Sequence, residues 1–423
     1  MTTTVTIGGL PYYEPDFNAD GSLNDATGDG DGGLAAAVAA GGITELFVMS
    51  HGWNNSVDSA RKLYAAMFSL IADQLGDHKA GVAVVGINWP SVLLPDDDPD
   101  TAPPVPSTGA QLAAALAPRF PGQAEQLKTM GELLDQKPQQ PGKLIEFHKL
   151  ASGLVTTKPQ SEEDSGESAI ADGDAIAVFG HAAAMAPKST SAAQGLGNPF
   201  AALWSGAREI LRTMSYYEMK NRAGVVGERG LGPLLAALSG PDGAPRIHLI
   251  GHSFGARLVS YALAGLPKTG TSPVKSLTLI QGAFSHFTFN RALPFDASRG
   301  GGLAGLEERV DGPLLATYTA ADRAVGWWYP AASMLARQDS QSVEDLGFRW
   351  GAMGHDGYQQ NPAAAALPLT EAGKPYDFQR GHFYRLDANK VIDDASQSEF
   401  SGAHSDIKHP EVAWAIVSAA RAT

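Results

Sequence analysis

Short apolar runs alternate with amphipathic stretches along much of the chain, and that alternation constrains the fold more than any other feature. Ile43–Met49 (ITELFVM), Gly81–Ile87 (GVAVVGI), Arg246–Ile250, Ser276–Ile280 and Leu314–Tyr318 are each of strand length and largely apolar. Continuous apolar runs of this kind suit strands buried on both faces, as in a parallel sheet. Between them, Asp58–Leu75 carries Leu63, Met67, Leu70, Ile71 and Leu75 at helical spacing. Arg208–Met219 and Ala256–Leu266 are further helix candidates. Strands that alternate with helices predict an α/β fold, a mostly parallel sheet with helices on both faces.

Residues 91–203 break this rhythm. They hold DDDPD at 96–100, prolines at 103, 104 and 106, helix-like pieces at Gln111–Leu116 and Glu125–Leu134, and the acidic SEEDSGE at 161–167. So long a structureless loop is uncommon inside a domain, which favours an inserted, partly helical cap or lid. The expected division is therefore a catalytic domain from 1–90 and 204–423, with the cap at 91–203. Residues 331–380 form a smaller irregular segment.

Composition removes several classes of function. The 423 residues contain no cysteine, which excludes disulfides, thiolate metal sites and a cysteine nucleophile. A net charge of −14 argues against nucleic acid or an anionic membrane as partner. The first residues lack a basic segment followed by an apolar one, and no run of 18 apolar residues occurs, so a cytoplasmic chain without a transmembrane segment is expected.

Gly251-His252-Ser253-Phe254-Gly255 follows the strand-like RIHLI directly and opens the helix-like ARLVSYALAGL. G-x-S-x-G alone arises by chance in a chain with 48 glycines. In this setting it reads as a strand–turn–helix elbow that lifts Ser253 Oγ above the sheet, with Gly251 and Gly255 where the backbone passes close to its neighbours. The competing reading is a Gly-rich turn with a solvated serine. With this motif the chain resembles the α/β-hydrolase superfamily in its esterase/lipase-like branch, over about 43–90, 205–330 and 381–423.

The resemblance implies a serine, an acid and a histidine in that chain order, with an oxyanion loop after an earlier strand. Ser50-His51-Gly52-Trp53-Asn54-Asn55 looks like that loop, with the N–H groups of Trp53 and Phe254 as the oxyanion donors and His51 and Gly52 in support. Asn54 and Asn55 either orient the loop or cap the helix that follows. Asp322, in the loop after Leu314–Tyr318, takes the acid's place; its alternatives are an N-cap or a partner for Arg323. Asp311, Glu307 and Glu308 precede that strand and fit less well. His404 takes the base's place, ahead of His409, which abuts Pro410 at a helix entry. In the family His252 packs beside the sheet, and His286, His355 and His382 read as loop or core residues. The implied activity is cleavage of a small-molecule or lipid-like carboxylic ester, without cofactor or catalytic metal. An amidase, peptidase or thioesterase using the same groups, or a non-catalytic binding protein on the same fold, are the alternatives.

Two weaker patterns stand outside this. Asp16-Phe-Asn18-Ala-Asp20-Gly21 matches the start of a Ca²⁺ loop, but its twelfth position is Thr27, and turn chemistry accounts for the same residues. Trp327-Trp328-Tyr329 lines an acyl pocket or packs as core.

Overall fold

The computed structural model describes residues 5–25, 30–52, 56–91, 108–158, 161, 166–185, 199–268, 270–322, 351–394 and 402–422. Among them, nine strands form one sheet: β1 Thr6–Ile7, β2 Leu10–Tyr13, β3 Glu45–Ser50, β4 Val82–Ile87, β5 Arg246–His252, β6 Val274–Ile280, β7 Leu314–Tyr318, β8 Ala365–Pro368 and β9 Phe383–Asp387. Their order is β1-β2-β4-β3-β5-β6-β7-β9-β8, and every pair is parallel except β1 with β2. The mostly parallel α/β architecture expected from the alternating runs is therefore present.

Side-chain alternation along the strands builds a core on each face. Leu46 and Val48 of β3 face one apolar layer, and Phe47 and Met49 face the other. In β4, Ala83, Val85 and Ile87 join the first layer while Val82 and Val84 join the second. Strands buried on both sides can dispense with polar alternation, which is why these segments read as unbroken apolar runs.

The helices complete the two layers. In chain order they are α1 Leu34–Ala39, α2 Val57–Leu75, α3 Gly109–Leu116, α4 Ala124–Gln136, α5 Pro141–Ser152, α6 Gly166–Ala171, α7 Ala175–Met185, α8 Pro199–Val226, α9 Gly232–Ala237, α10 Phe254–Gly265, α11 Met353–Asp356 and α12 Pro410–Arg421. α2 is capped by Ser56, whose side chain accepts the N–H of Ser59, and it buries Tyr64, Met67, Phe68 and Ile71 beside α12. α10 and α8 cover the opposite face through Leu258, Val259, Met219 and Ala223. α2 leaves β3 on one face and α10 leaves β5 on the other, so the winding of the chain reverses between the carboxyl ends of those two neighbouring strands. Open α/β sheets bind ligands at such a switch point.

Every described helix between 108 and 226 joins this organisation without adding a strand. Leu112, Leu116, Met130, Leu144 and Phe147 share the apolar layer that α8 and α10 belong to. α8 is one helix of 28 residues that crosses position 203. Its buried Glu218 accepts the backbone N–H groups of Thr156 and Thr157, both at 2.9 Å, and pairs with Arg222 one turn on. Among the described residues, no helix is long and apolar enough to cross a membrane.

Candidate active site

β5 ends at His252, and Ser253 is the N-cap of α10 with φ 58° and ψ −123°. A non-glycine residue adopts positive φ only where its surroundings hold it there. Here the Ser253 N–H donates to the Ile280 carbonyl at 3.1 Å, and the Ser253 carbonyl accepts from Ala256 at 3.1 Å and Ala283 at 3.2 Å. Strand β6 and the first turn of α10 thus fix the turn on both sides. Phe254 is the first residue of α10, and its ring is buried against Tyr216.

The glycines explain how close the segments come. A Cβ on Gly255 would overlap the carbonyl oxygens of Ser50 and His51. One on Gly52 would overlap Ser253 Cβ and lie 3.0 Å from both Ser253 Oγ and the His252 carbonyl. The loop after β3 therefore lies directly against the serine. Gly251 pairs in register with Ser50 and packs on the backbone of Gly255 and Ala256.

His51 anchors that loop. Its backbone N–H donates to Tyr64 Oη at 2.9 Å, and Tyr64 donates in turn to the Ile87 carbonyl at 2.6 Å. Trp89 donates its indole N–H to the His51 carbonyl at 3.1 Å and stacks on the imidazole, ring centroids 5.6 Å apart. The imidazole Nδ1–H donates to the Gly52 carbonyl at 2.8 Å. Burial pushes the His51 pKa down to about 4, so the ring is neutral at pH 7.

Asp322 and His404 meet 82 positions apart in the chain. β7 delivers Asp322 past its carboxyl end, and an isolated antiparallel bridge pairs Asp322 with Gly402. His404 Nδ1–H donates to Asp322 Oδ2 at 2.7 Å, with the carboxylate fully buried and the imidazole 11% exposed. A carboxylate on Nδ1 selects the tautomer whose Nε2 carries a lone pair.

His252 holds the backbone of the same segment, its Nε2–H donating to the His404 carbonyl at 2.9 Å. Burial, with His404 nearby, lowers the His252 pKa to about 3. It is a neutral scaffold residue at the last position of β5. Asp406 pins the loop further, accepting from the N–H groups of Asp393 and Asp394 and from His409 Nε2. His409 is thereby committed to Asp406.

The remaining candidates lie elsewhere or beyond the described residues. Glu307 and Glu308 pair with Arg291, and Asp311 with Lys275. His286 and His355 bond to Asp356, and His382 bonds to the Arg380 carbonyl. In the Asp16–Gly21 stretch the side chains serve turns: Asp20 accepts from the N–H and hydroxyl of Ser22, and Asp16 accepts from Asn24. Among the described residues no group of three or more acidic or histidine side chains converges as a metal site. Trp53, Asn54, Asn55, Arg323 and Trp327-Trp328-Tyr329 lie outside the described residues.

One buried residue at this site gives almost no sign of itself in the sequence. Gln281, the first residue past β6, donates its amide to Asp322 Oδ2 at 2.9 Å. Its only sequence signal is that it follows a strand lying between those that carry Ser253 and Asp322.

No family model matches the chain, and neither a curated protein nor a solved structure matches it.

Proposed function

We propose that the protein is a serine hydrolase of the α/β-hydrolase type, esterase/lipase-like, which cleaves carboxylic esters through an acyl-enzyme on Ser253. The reading rests on one observation: a buried Asp322–His404 hydrogen bond of 2.7 Å, held against the residue that precedes a serine at φ 58°.

A serine hydroxyl is a weak nucleophile at neutral pH. His404 Nε2 takes its proton as Oγ attacks the ester carbonyl, and the Asp322 carboxylate stabilises the imidazolium that forms. The carbonyl oxygen gains a full negative charge in the tetrahedral intermediate. The N–H of Phe254 at the start of α10 receives it, aided by the dipole of that helix, and Trp53 is the expected second donor. Collapse returns the proton to the departing alcohol and leaves the acyl group on Ser253. Water, deprotonated by His404, then releases the acid and restores the serine. Residues 91–203 act in this reading as a cap that selects the substrate over a catalytic domain formed by 1–90 and 204–423.

Incubation with a fluorophosphonate probe tests the proposal. Labelling at Ser253 that is lost in Ser253→Ala is expected, and intact protein that remains unlabelled defeats it in favour of a binding protein. A chain-length series of p-nitrophenyl esters, run beside anilides and thioesters, then separates an esterase from an amidase or thioesterase.

A further inference from the structure

The Gln281 side chain makes a chain of hydrogen bonds that admits only one arrangement. Thr317 Oγ1 accepts the Gln281 backbone N–H at 3.1 Å, so its proton is free to point at Gln281 Oε1, 2.9 Å away. The other end of the amide, Nε2, faces two groups that can only accept, Asp322 Oδ2 at 2.9 Å and the Gly354 carbonyl at 3.1 Å. Turning the amide over would set its oxygen against both of those acceptor oxygens. Gln281 is also fully buried and held at φ 47°, a conformation residues with a Cβ rarely adopt. Thr317 of β7, Asp322 beyond that strand and Gly354 of α11 thus grip the amide from three sides.

We propose that Gln281 is a positioning residue: its amide holds the Asp322 carboxylate toward His404 Nδ1 and tempers the negative charge that the imidazole senses. This rests on the reading of Asp322 and His404 as acid and base. The same carboxylate oxygen receives both His404 Nδ1–H and Gln281 Nε2–H. A donor there draws charge from the oxygen. Its removal makes Asp322 a stronger partner for the imidazolium, so His404 keeps its proton to higher pH and fewer molecules carry the free base.

Other charged or titratable groups face this pair among the described residues. His252 of β5 packs on His404 with ring centroids 5.0 Å apart, and Lys408 lies near it. His355 of α11 senses the Asp322 charge after that of its own partner Asp356, which also holds His286. Asp406 and His409 pair with each other on the histidine's own loop. Changes at Gln281 leave all of these in place, so a moved titration reports the amide.

The test uses Gln281→Met, which keeps the length and removes both donors, and Gln281→Glu, which keeps the shape and, facing two acceptor oxygens, holds a proton it can donate to Asp322. Nitrogen-edited NMR follows His404 directly, whether or not any ester is cleaved. In folded Gln281→Met its titration is expected to move up by about one pH unit, the displacement a tenfold change in proton affinity gives. The acidic limb of kcat/KM for p-nitrophenyl acetate should move with it, and kcat should fall about 10- to 100-fold with KM nearly unchanged. Gln281→Glu, protonated against Asp322 and so still able to donate, should move both less. Thr317→Val, which frees the amide without touching Asp322, should move them less in the same direction and serves if the other two fail to fold. An unmoved His404 titration in a folded variant overturns the proposal. A moved titration in a protein that takes up no fluorophosphonate supports the Gln281 role while defeating the esterase reading.

Discussion

Replacing Gly52 by alanine tests the geometry of the site with a single methyl group. The added Cβ would lie 3.0 Å from Ser253 Oγ and from the His252 carbonyl, and closer still to Ser253 Cβ. Neither main neighbour is the far end of a flexible chain, because Ser253 is fixed by hydrogen bonds to Ile280, Ala256 and Ala283. Restoring ordinary contact of about 3.5–4.0 Å requires the loop or the elbow to move by roughly 1 Å. A misplacement of that size at a reacting centre costs about 10²-fold in rate. Overpacking a filled site adds about 1–3 kcal/mol of destabilisation. The measurement is the second-order rate of fluorophosphonate labelling, read beside the melting temperature. Gly180→Ala is the control, since its Cβ meets nothing within 4 Å and the site is an exposed position inside α7. That change should raise stability by about 0.5–1 kcal/mol and leave labelling alone. Gly52→Ala labelling at the wild-type rate would refute the contact between the β3 loop and the serine.

Two further outcomes follow from the same structure. Asp322→Asn, which keeps the side chain's shape and loses its charge, should lower kcat about 10³- to 10⁴-fold in stopped-flow ester hydrolysis while the protein stays folded; a loss below about tenfold removes Asp322 from the acid's role. His51 and His252 are buried neutral, with pKa values pushed from 6.5 down to about 4 and about 3. The unfolded chain therefore binds more protons than the folded one below pH 6.5, and stability falls as pH drops through that value toward pH 4 and 3. A tenfold difference in proton affinity between the folded and unfolded chain corresponds to about 1.4 kcal/mol, so urea unfolding at about pH 7.5 and pH 4.5 should differ by several kcal/mol. A flat pH dependence across that interval contradicts their burial as neutral rings.

What the sequence discloses and what it withholds divide along a physical line. β7 at Leu314–Tyr318 occupies the residues expected for it, α12 begins at the helix entry expected at Pro410, and β5 extends its run by two, through Gly251 to His252. Buried parallel strands and amphipathic helices carry their periodicity within a few adjacent residues, so one segment suffices to identify each. β2 (LPYY) and β8 (AALP) escape notice because each has four residues, contains proline and lies toward an edge of the sheet. α5 and α7 sit inside 91–203, where apolar residues serve helix-on-helix packing and no strand rhythm frames them. Gln281 is invisible for a different reason. Its bonds to Thr317, Asp322 and Gly354 span 36, 41 and 73 positions and exist only because β6 lies beside β7.

The histidines around Ser253 show why residue type alone does not identify a base. His252 precedes the serine in the chain, His51 is brought beside it only by the fold, and all three imidazoles are largely enclosed. They differ in what each ring nitrogen faces. His51 and His252 each donate to a backbone carbonyl, a neutral acceptor that orients the ring without repaying the burial of a charge. Proton transfer to either creates a buried cation whose donating nitrogen faces a carbonyl and not a carboxylate. His404 donates to a carboxylate, so the cation formed when it takes a proton already has its partner 2.7 Å away. In the proposed reading the acid selects the base, and the acid is held by the residue that follows the neighbouring strand. Removing the carboxylate supplies the corollary of that reading: in Asp322→Ala, His404 joins the other two as an enclosed imidazole with no carboxylate on its ring, and ester hydrolysis is expected to be lost although all three histidines remain.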